Sequence, residues 1–146
     1  MTSMNSAVHF PVDGASQVRF RQDGAGAITA SDASDAISLD ELVATWNSGN
    51  IPQGQLALSI FVNSADTANA NESYVFEVQS DNSAAFGAPV THMTTASFTA
   101  PGLYVVALDI KTVRKVDPDC SHLRLNAVLA GTTPSLDYEA WALKLA

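Results

Sequence analysis

A short stretch of this chain brings together several side chains that could do chemistry. Residues 117–122 read Asp-Pro-Asp-Cys-Ser-His and hold two carboxylates, a thiol and an imidazole. Such groups can bind a metal ion or support thiol chemistry. A metal site would need further ligands, and His9 and His92 are the only other histidines. Because Asp-Pro-Asp is a turn signal, we interpret the stretch as a loop before a strand.

Acidic residues and aromatic residues suggest two further kinds of site. Two acidic pairs have the residue types of a glycosidase, namely Asp32 with Asp35 and Asp40 with Glu41. Acidic residues beside turns and helix starts are expected for structural reasons, so we interpret both pairs as structural. No Gly-rich phosphate loop, Cys-x-x-Cys pair or His-Glu-x-x-His motif occurs. We therefore predict no enzyme activity, no metal and no cofactor.

Four aromatic residues could form a platform for a sugar ring, namely Trp46, Tyr104, Tyr138 and Trp141. They lie in apolar strand or helix patterns, in which burial in a core or an interface is the more common role. A carbohydrate-binding β-sandwich with Trp46 or Trp141 as its platform stays open as an alternative function.

The composition narrows the class of protein. A chain of 146 residues forms one domain that buries roughly two-thirds of its unfolded surface. Lys and Arg total 7 against 15 Asp and Glu, and a net charge of −8 disfavours nucleic acids and anionic membranes. The single cysteine, Cys120, excludes an intrachain disulfide. With no signal peptide and no apolar run of membrane-spanning length, we expect a soluble protein made in the cytoplasm of its cell.

Hydrophobic periodicity predicts mostly strands. The clearest runs over residues 74–79, where Tyr74, Phe76 and Val78 share one face, and it ends in a turn after which Phe86 returns to the core. Residues 55–62, 94–99 and 122–129 also read as strands, as do residues 18–22 with 27–29 as their partner.

Three further segments carry more specific predictions. The apolar run at residues 103–110 predicts a central strand covered on both faces. At residues 136–145 the apolar positions change parity, which predicts a β-bulge near Ala140. The one helical signal is a capping box of Ser38 and Glu41, followed by an apolar face that includes Trp46.

These elements predict an all-β protein, an antiparallel β-sandwich or jelly roll with almost no helix. We divide it into an N-terminal arm or edge strand at residues 1–17 and a single sandwich domain at residues 18–146. The arm carries Val8, Phe10 and Val12 between turn signals, so we expect it to be ordered mainly by a neighbour.

The C-terminal part carries a series of motifs over roughly residues 55–146: a strand-and-turn series ending in Phe86, a Gly-Leu-Tyr strand start at 102–104, the series at 122–126 and a Gly-Thr turn at 131–134. This series resembles the Bbp-type capsid cement proteins of tailed phages. Two features depart from the family pattern: His122 stands where relatives often have an aromatic residue, and the loop at 117–121 does not match the pattern.

The resemblance implies a structural protein that decorates an icosahedral phage head. Its partners would be the major capsid protein and further copies of itself, as dimers or trimers at symmetry axes. The location it implies is the outer capsid surface of the virion, after synthesis in the host cytoplasm. For the interface we select Val8, Phe10, Val12 and Trp46.

Overall fold

The fold is known from a computed structural model, which describes residues 18–22, 24–41 and 55–144. Residues 39–41 are helical, and the other elements of this part are one helix, α1, at Ile110–Val116 and nine strands. The strands are β1 (Val18–Arg21), β2 (Asp32–Ala33), β3 (Ile37–Ser38), β4 (Gln55–Ala65), β5 (Ser73–Asp81), β6 (Val90–Thr94), β7 (Gly102–Asp109), β8 (His122–Ala130) and β9 (Leu136–Lys144).

The strands form two antiparallel sheets that pack face to face. Sheet one has the order β1-β9-β4-β7, and sheet two has the order β2-β8-β5-β6, with β3 also paired to β8. Phe76 of sheet two meets Tyr138 of sheet one edge to face, with 4.8 Å between the ring centres. The predicted all-β antiparallel sandwich is confirmed.

The inner faces of the sheets supply the core, as the period-2 patterns predict. Tyr74, Phe76 and Val78 are at most 1% exposed. The same holds for the inward residues of the neighbouring strands, which are Leu56, Leu58, Ile60 and Val62 of β4 and Leu123, Leu125 and Ala127 of β8. Each set alternates with residues on the outer face of its sheet, because successive side chains of a strand point to opposite sides.

The predicted bulge near Ala140 is wrong. Tyr138, Ala140 and Ala142 all belong to the core between the sheets, so β9 keeps its parity. Trp141 and Leu143 belong to a separate apolar cluster, on the outer side of sheet one. The register shifts lie in the partner strands instead, between Val62 and Ser64 of β4 and between Arg19 and Arg21 of β1. The apolar positions in the sequence of β9 change parity because both faces of this strand are apolar, so no bulge is needed.

The prediction that residues 103–110 form a central strand is also wrong. Among the described strands, β7 pairs only with β4 and forms the edge of sheet one. Of the other predicted strands, residues 94–99 lie mostly after β6, and Ile28 makes an isolated bridge to Leu136 instead of pairing with β1.

Two local features concern Phe86 and the helices. Phe86 is 6% exposed but does not lie in the core between the sheets. The guanidinium of the outward residue Arg124 stands 4.3 Å from its ring centre, which places Phe86 on the outer side of sheet two.

The predicted helix start is confirmed at residues 39–41, where the Glu41 amide donates to Ser38 Oγ at 2.9 Å. Helix α1 was not predicted; Asp109 caps it by accepting from the Lys111 amide at 3.1 Å.

Candidate functional site

The residues predicted for the interface lie outside the part of the chain that the structure describes. This applies to Val8, Phe10 and Val12 within the predicted arm and also to Trp46. The candidate sites below are therefore built from other residues.

Residues 117–121 form the connection between α1 and β8, which begins at His122. The Cys120 amide donates to the Asp117 carbonyl at 3.2 Å, which closes the turn between α1 and β8. Cys120 is 5% exposed, and burial together with the Asp117 carboxylate raises the pKa of its thiol. A raised pKa keeps the thiol protonated and poorly reactive. In the described ranges, no group of three His, Cys, Asp or Glu side chains could hold a metal ion.

One buried polar cluster joins three separate elements. Ser80 of β5 is fully buried, its Oγ lies 2.7 Å from His92 Nε2 of β6, and it donates to Asp117 Oδ2 at 2.6 Å. Residue types alone suggest a hydrolase triad. A hydroxyl has one hydrogen, and here Asp117 accepts it, so His92 Nε2 must donate to Ser80 Oγ.

That direction is the reverse of nucleophile activation, in which the imidazole accepts the serine proton. Burial lowers the pKa of His92, while the Asp117 carboxylate opposes that shift. We interpret the cluster as a polar tie between β5, β6 and the loop after α1. Sequence reasoning considered Asp117 and His92 only as possible metal ligands and missed the cluster. His92 reaches Ser80 through the pairing of β5 with β6, and Asp117 reaches it from the loop after α1, so the partners lie 12 and 37 positions from Ser80 in the chain.

The outer side of sheet one carries an apolar surface, which we call the apolar face. It consists of Ala57 and Phe61 of β4, Leu103 of β7, and Trp141 and Leu143 of β9. Ala57 pairs with Leu143, and Ser59 pairs with Trp141, so small β4 residues stand beside large β9 residues. Trp141 is only 4% exposed, and the Arg19 guanidinium lies 5.8 Å from its ring centre.

The outer side of sheet two carries a hydrogen-bonded row of planar side chains, which we call the polar face. It consists of Glu77 and Gln79 of β5 and Arg124 and Asn126 of β8. Glu77 Oε1 accepts from Asn126 Nδ2 at 2.8 Å, and Gln79 Oε1 accepts from Arg124 Nε at 2.8 Å. Gln79 Nε2 donates to Glu77 Oε1 at 3.2 Å and so connects the two pairs.

The predicted aromatic platform is not present at the described positions. Trp141 is buried in the apolar face, and Tyr138 is 1% exposed in the core. Tyr104 is half-buried and stacks on Phe98, with 4.1 Å between the ring centres. Among the acidic residues, Asp32 lies in strand β2 and not in a turn, and its side chain accepts from the Ala33 amide at 3.0 Å.

The two packed antiparallel sheets place this protein in the β-sandwich class. Beyond that class, comparison with protein-family models, curated proteins and solved structures gave no match to this chain. Within the described residues, no helix has the length and apolar character needed to cross a membrane.

Proposed function

We propose that this protein is a capsid decoration protein that binds the outer surface of an icosahedral phage head and stabilises contacts between major capsid subunits. The proposal starts from the resemblance of residues 55–146 to capsid cement proteins. One structural observation supports it: sheet one is apolar on its outer side as well as on its inner side.

A sheet that is apolar on both sides is typically covered on both sides. Ala57, Trp141 and Leu143 at the centre of the outer side are already at most 8% exposed within the chain, so a partner surface would contact the border of the apolar face. Phe61 and Leu103 are half-buried at the border of the apolar face, and both are available for contact with a coat subunit. Docking there would remove apolar area from water at about 25 cal/mol per Å².

The stabilising mechanism is mass action. A protein that binds the assembled shell but not its separated subunits stabilises the shell, and many weak contacts act together on one lattice. The strand orders of the two sheets support an eight-stranded jelly roll as the finer description of the sandwich. The proposed location is the virion surface.

The experiment is a binding assay with expanded phage shells that lack decoration protein. We expect the protein to co-sediment with the shells and to raise their melting temperature. Phe61→Asp, which places a charge on the apolar face, should abolish both effects. The matched control is Val75→Asp, which places the same charge on an outward, half-buried position of β5 in sheet two. If the wild type does not bind, or if both variants bind equally well, the proposal fails.

The polar face supports a second candidate function, which is carbohydrate binding. Rows of planar carboxylate, amide and guanidinium groups can form hydrogen bonds with sugar hydroxyls. Gln79 links the row and is only 6% exposed, so the groups are held in fixed positions. Glycan-array binding that is lost in Asn126→Ala but retained in Phe61→Asp would favour this candidate over capsid decoration.

A further inference from the structure

Two loops of the sandwich pack against each other around Glu72, and we call residues 66–72 and 131–135 the Glu72 corner. The first loop connects β4 to β5, and the second connects β8 to β9. A Cβ added to Gly131 would lie 2.6 Å from the Glu72 Cα, which is too close for any side chain. The glycine therefore allows the second loop to pack directly on the backbone of Glu72.

Four exposed polar side chains connect the two loops. Asn71 Nδ2 donates to Thr132 Oγ1 at 2.8 Å, and the Thr132 amide donates back to Asn71 Oδ1 at 3.1 Å. Asn69 Nδ2 donates to Thr133 Oγ1 at 2.7 Å. Because an amide oxygen has two lone pairs, both asparagines keep acceptor capacity after these contacts are made. The corner therefore holds two amide oxygens in fixed positions that solvent can reach.

Glu72 is the buried polar group of this corner. Its side chain belongs to a residue that is 8% exposed, and Oε1 accepts from the Asn69 amide at 3.1 Å. Its second oxygen, Oε2, is buried and has no hydrogen-bond partner among the described residues. Buried carboxylates are normally paired with a cation, hydrogen-bonded or bound to a metal ion. Half of this carboxylate therefore lacks the partner that its burial requires.

The charges of the corner favour a cation as that partner. The two pairs of strands that the loops connect, with the loops themselves, span residues 55–81 and 122–144, and residues 55–79 and 125–143 contain no Lys or Arg. Asp66 adds a second carboxylate to the first loop, where its Oδ1 accepts from the Ala68 amide at 2.8 Å. The net charge of −8 also raises the concentration of cations near the protein.

We propose that the Glu72 corner binds a calcium ion, with the Glu72 carboxylate as the buried ligand and the side-chain oxygens of Asn69 and Asn71 as further ligands. Ca²⁺ takes about six to eight oxygens from carboxylates, carbonyls and water, so a cluster of three acidic side chains is not required. Because few of these ligands carry a charge, we expect a dissociation constant of roughly 0.1–1 mM. The bound ion strengthens the contact between the two loops. This site does not depend on the proposed capsid function.

The first test compares the melting temperature of the free protein in CaCl₂ and in MgCl₂, each at about 10 mM, without capsids. Ca²⁺ should give a melting temperature higher by roughly 3 °C or more, because Mg²⁺ gives up its water reluctantly. Glu72→Gln keeps the shape of the side chain but removes its charge, so it should abolish the difference. The matched control, Glu41→Gln, makes the same change at an exposed position outside the corner and should retain it. An equal melting temperature of the wild type in both salts, or an undiminished difference in Glu72→Gln, would overturn the proposal.

The second test needs no variant and so does not depend on how Glu72→Gln folds. Amide chemical shifts of the wild type are followed by NMR while CaCl₂ is added. The largest changes should fall in residues 66–72 and 131–133, with half-saturation at roughly 1 mM or below. Amides of α1, which is not part of the corner, should keep their shifts. If the corner does not respond, or if the changes are spread evenly over the exposed carboxylates, the corner is not a calcium site.

Discussion

The outer sides of the two sheets differ in chemistry, although both belong to strands of similar length. On sheet one, the apolar face surrounds Trp141, which is 4% exposed. On sheet two, the polar face links Glu77, Gln79, Arg124 and Asn126 through hydrogen bonds. One outer side is stabilised by removing carbon from water, and the other by satisfying polar groups at the surface.

Because of this difference, the two sheets are suited to different kinds of recognition. An apolar outer side can contribute to association with almost any complementary surface, since the hydrophobic effect has no direction. A hydrogen-bonded row recognises a ligand through geometry and contributes less free energy per contact, about 0.5–1.5 kcal/mol. Sheet one is therefore the better candidate for stable assembly, and sheet two for selective contact.

The prediction with the largest expected effect on stability tests whether the side chains of the apolar face are closely packed. Trp141→Ala should lower the free energy of unfolding by roughly 3 kcal/mol or more, because it removes a buried indole. Urea unfolding measures this change. Trp141→Phe is the control and should cost less than about 1.5 kcal/mol, since Trp141 Nε1 has no hydrogen-bond partner to lose among the described residues. A cost near zero for Trp141→Ala would mean that the face is not packed.

The second prediction concerns the polar face. Gln79→Ala should lower the free energy of unfolding by about 1–2 kcal/mol, because it removes the acceptor of Arg124 Nε and one donor to Glu77 Oε1. A double-mutant cycle with Arg124→Ala isolates the direct contact and should give a coupling of roughly 0.5 kcal/mol or more. Additive losses would show that the row is a set of independent surface residues, and the contrast between the two faces would then be weaker.

The difference between the outer sides of the two sheets also explains which parts of the fold could be predicted from the sequence. The strands of sheet two alternate between apolar and polar residues, so Tyr74, Phe76 and Val78 were identified correctly as core residues. In β7 and β9 of sheet one the outward residues are also apolar, so alternation no longer distinguishes inside from outside. The predicted bulge near Ala140 and the predicted central position of residues 103–110 failed for this one reason.

The candidate sites were harder to predict than the strands. The polar face requires the register of β5 and β8, in which Gln79 pairs with Arg124 and Glu77 pairs with Asn126. The Ser80 cluster likewise depends on which strand β6 joins. Pairing partners are set by the whole fold and leave no local pattern in the chain. Helix α1 escaped prediction because β-branched residues in a seven-residue segment resemble a continuation of β7.

The last prediction concerns the pH dependence of stability and has the smallest expected effect at neutral pH. It compares two residues of β9 that face opposite sides, Trp141 outward and Tyr138 inward. Burial raises the pKa of Tyr138 to about 12; nearby Asp32 and Asp35 add to the shift, and Arg21 opposes it. The unfolded tyrosine loses its proton near pH 10, so this contribution to stability is complete below pH 10 and is lost as the pH rises toward 12. Tyr138→Phe should therefore flatten the fall in the urea midpoint between pH 10 and 12, whereas Trp141→Phe should leave its slope unchanged. An equal slope in the wild type and Tyr138→Phe would contradict the assignment.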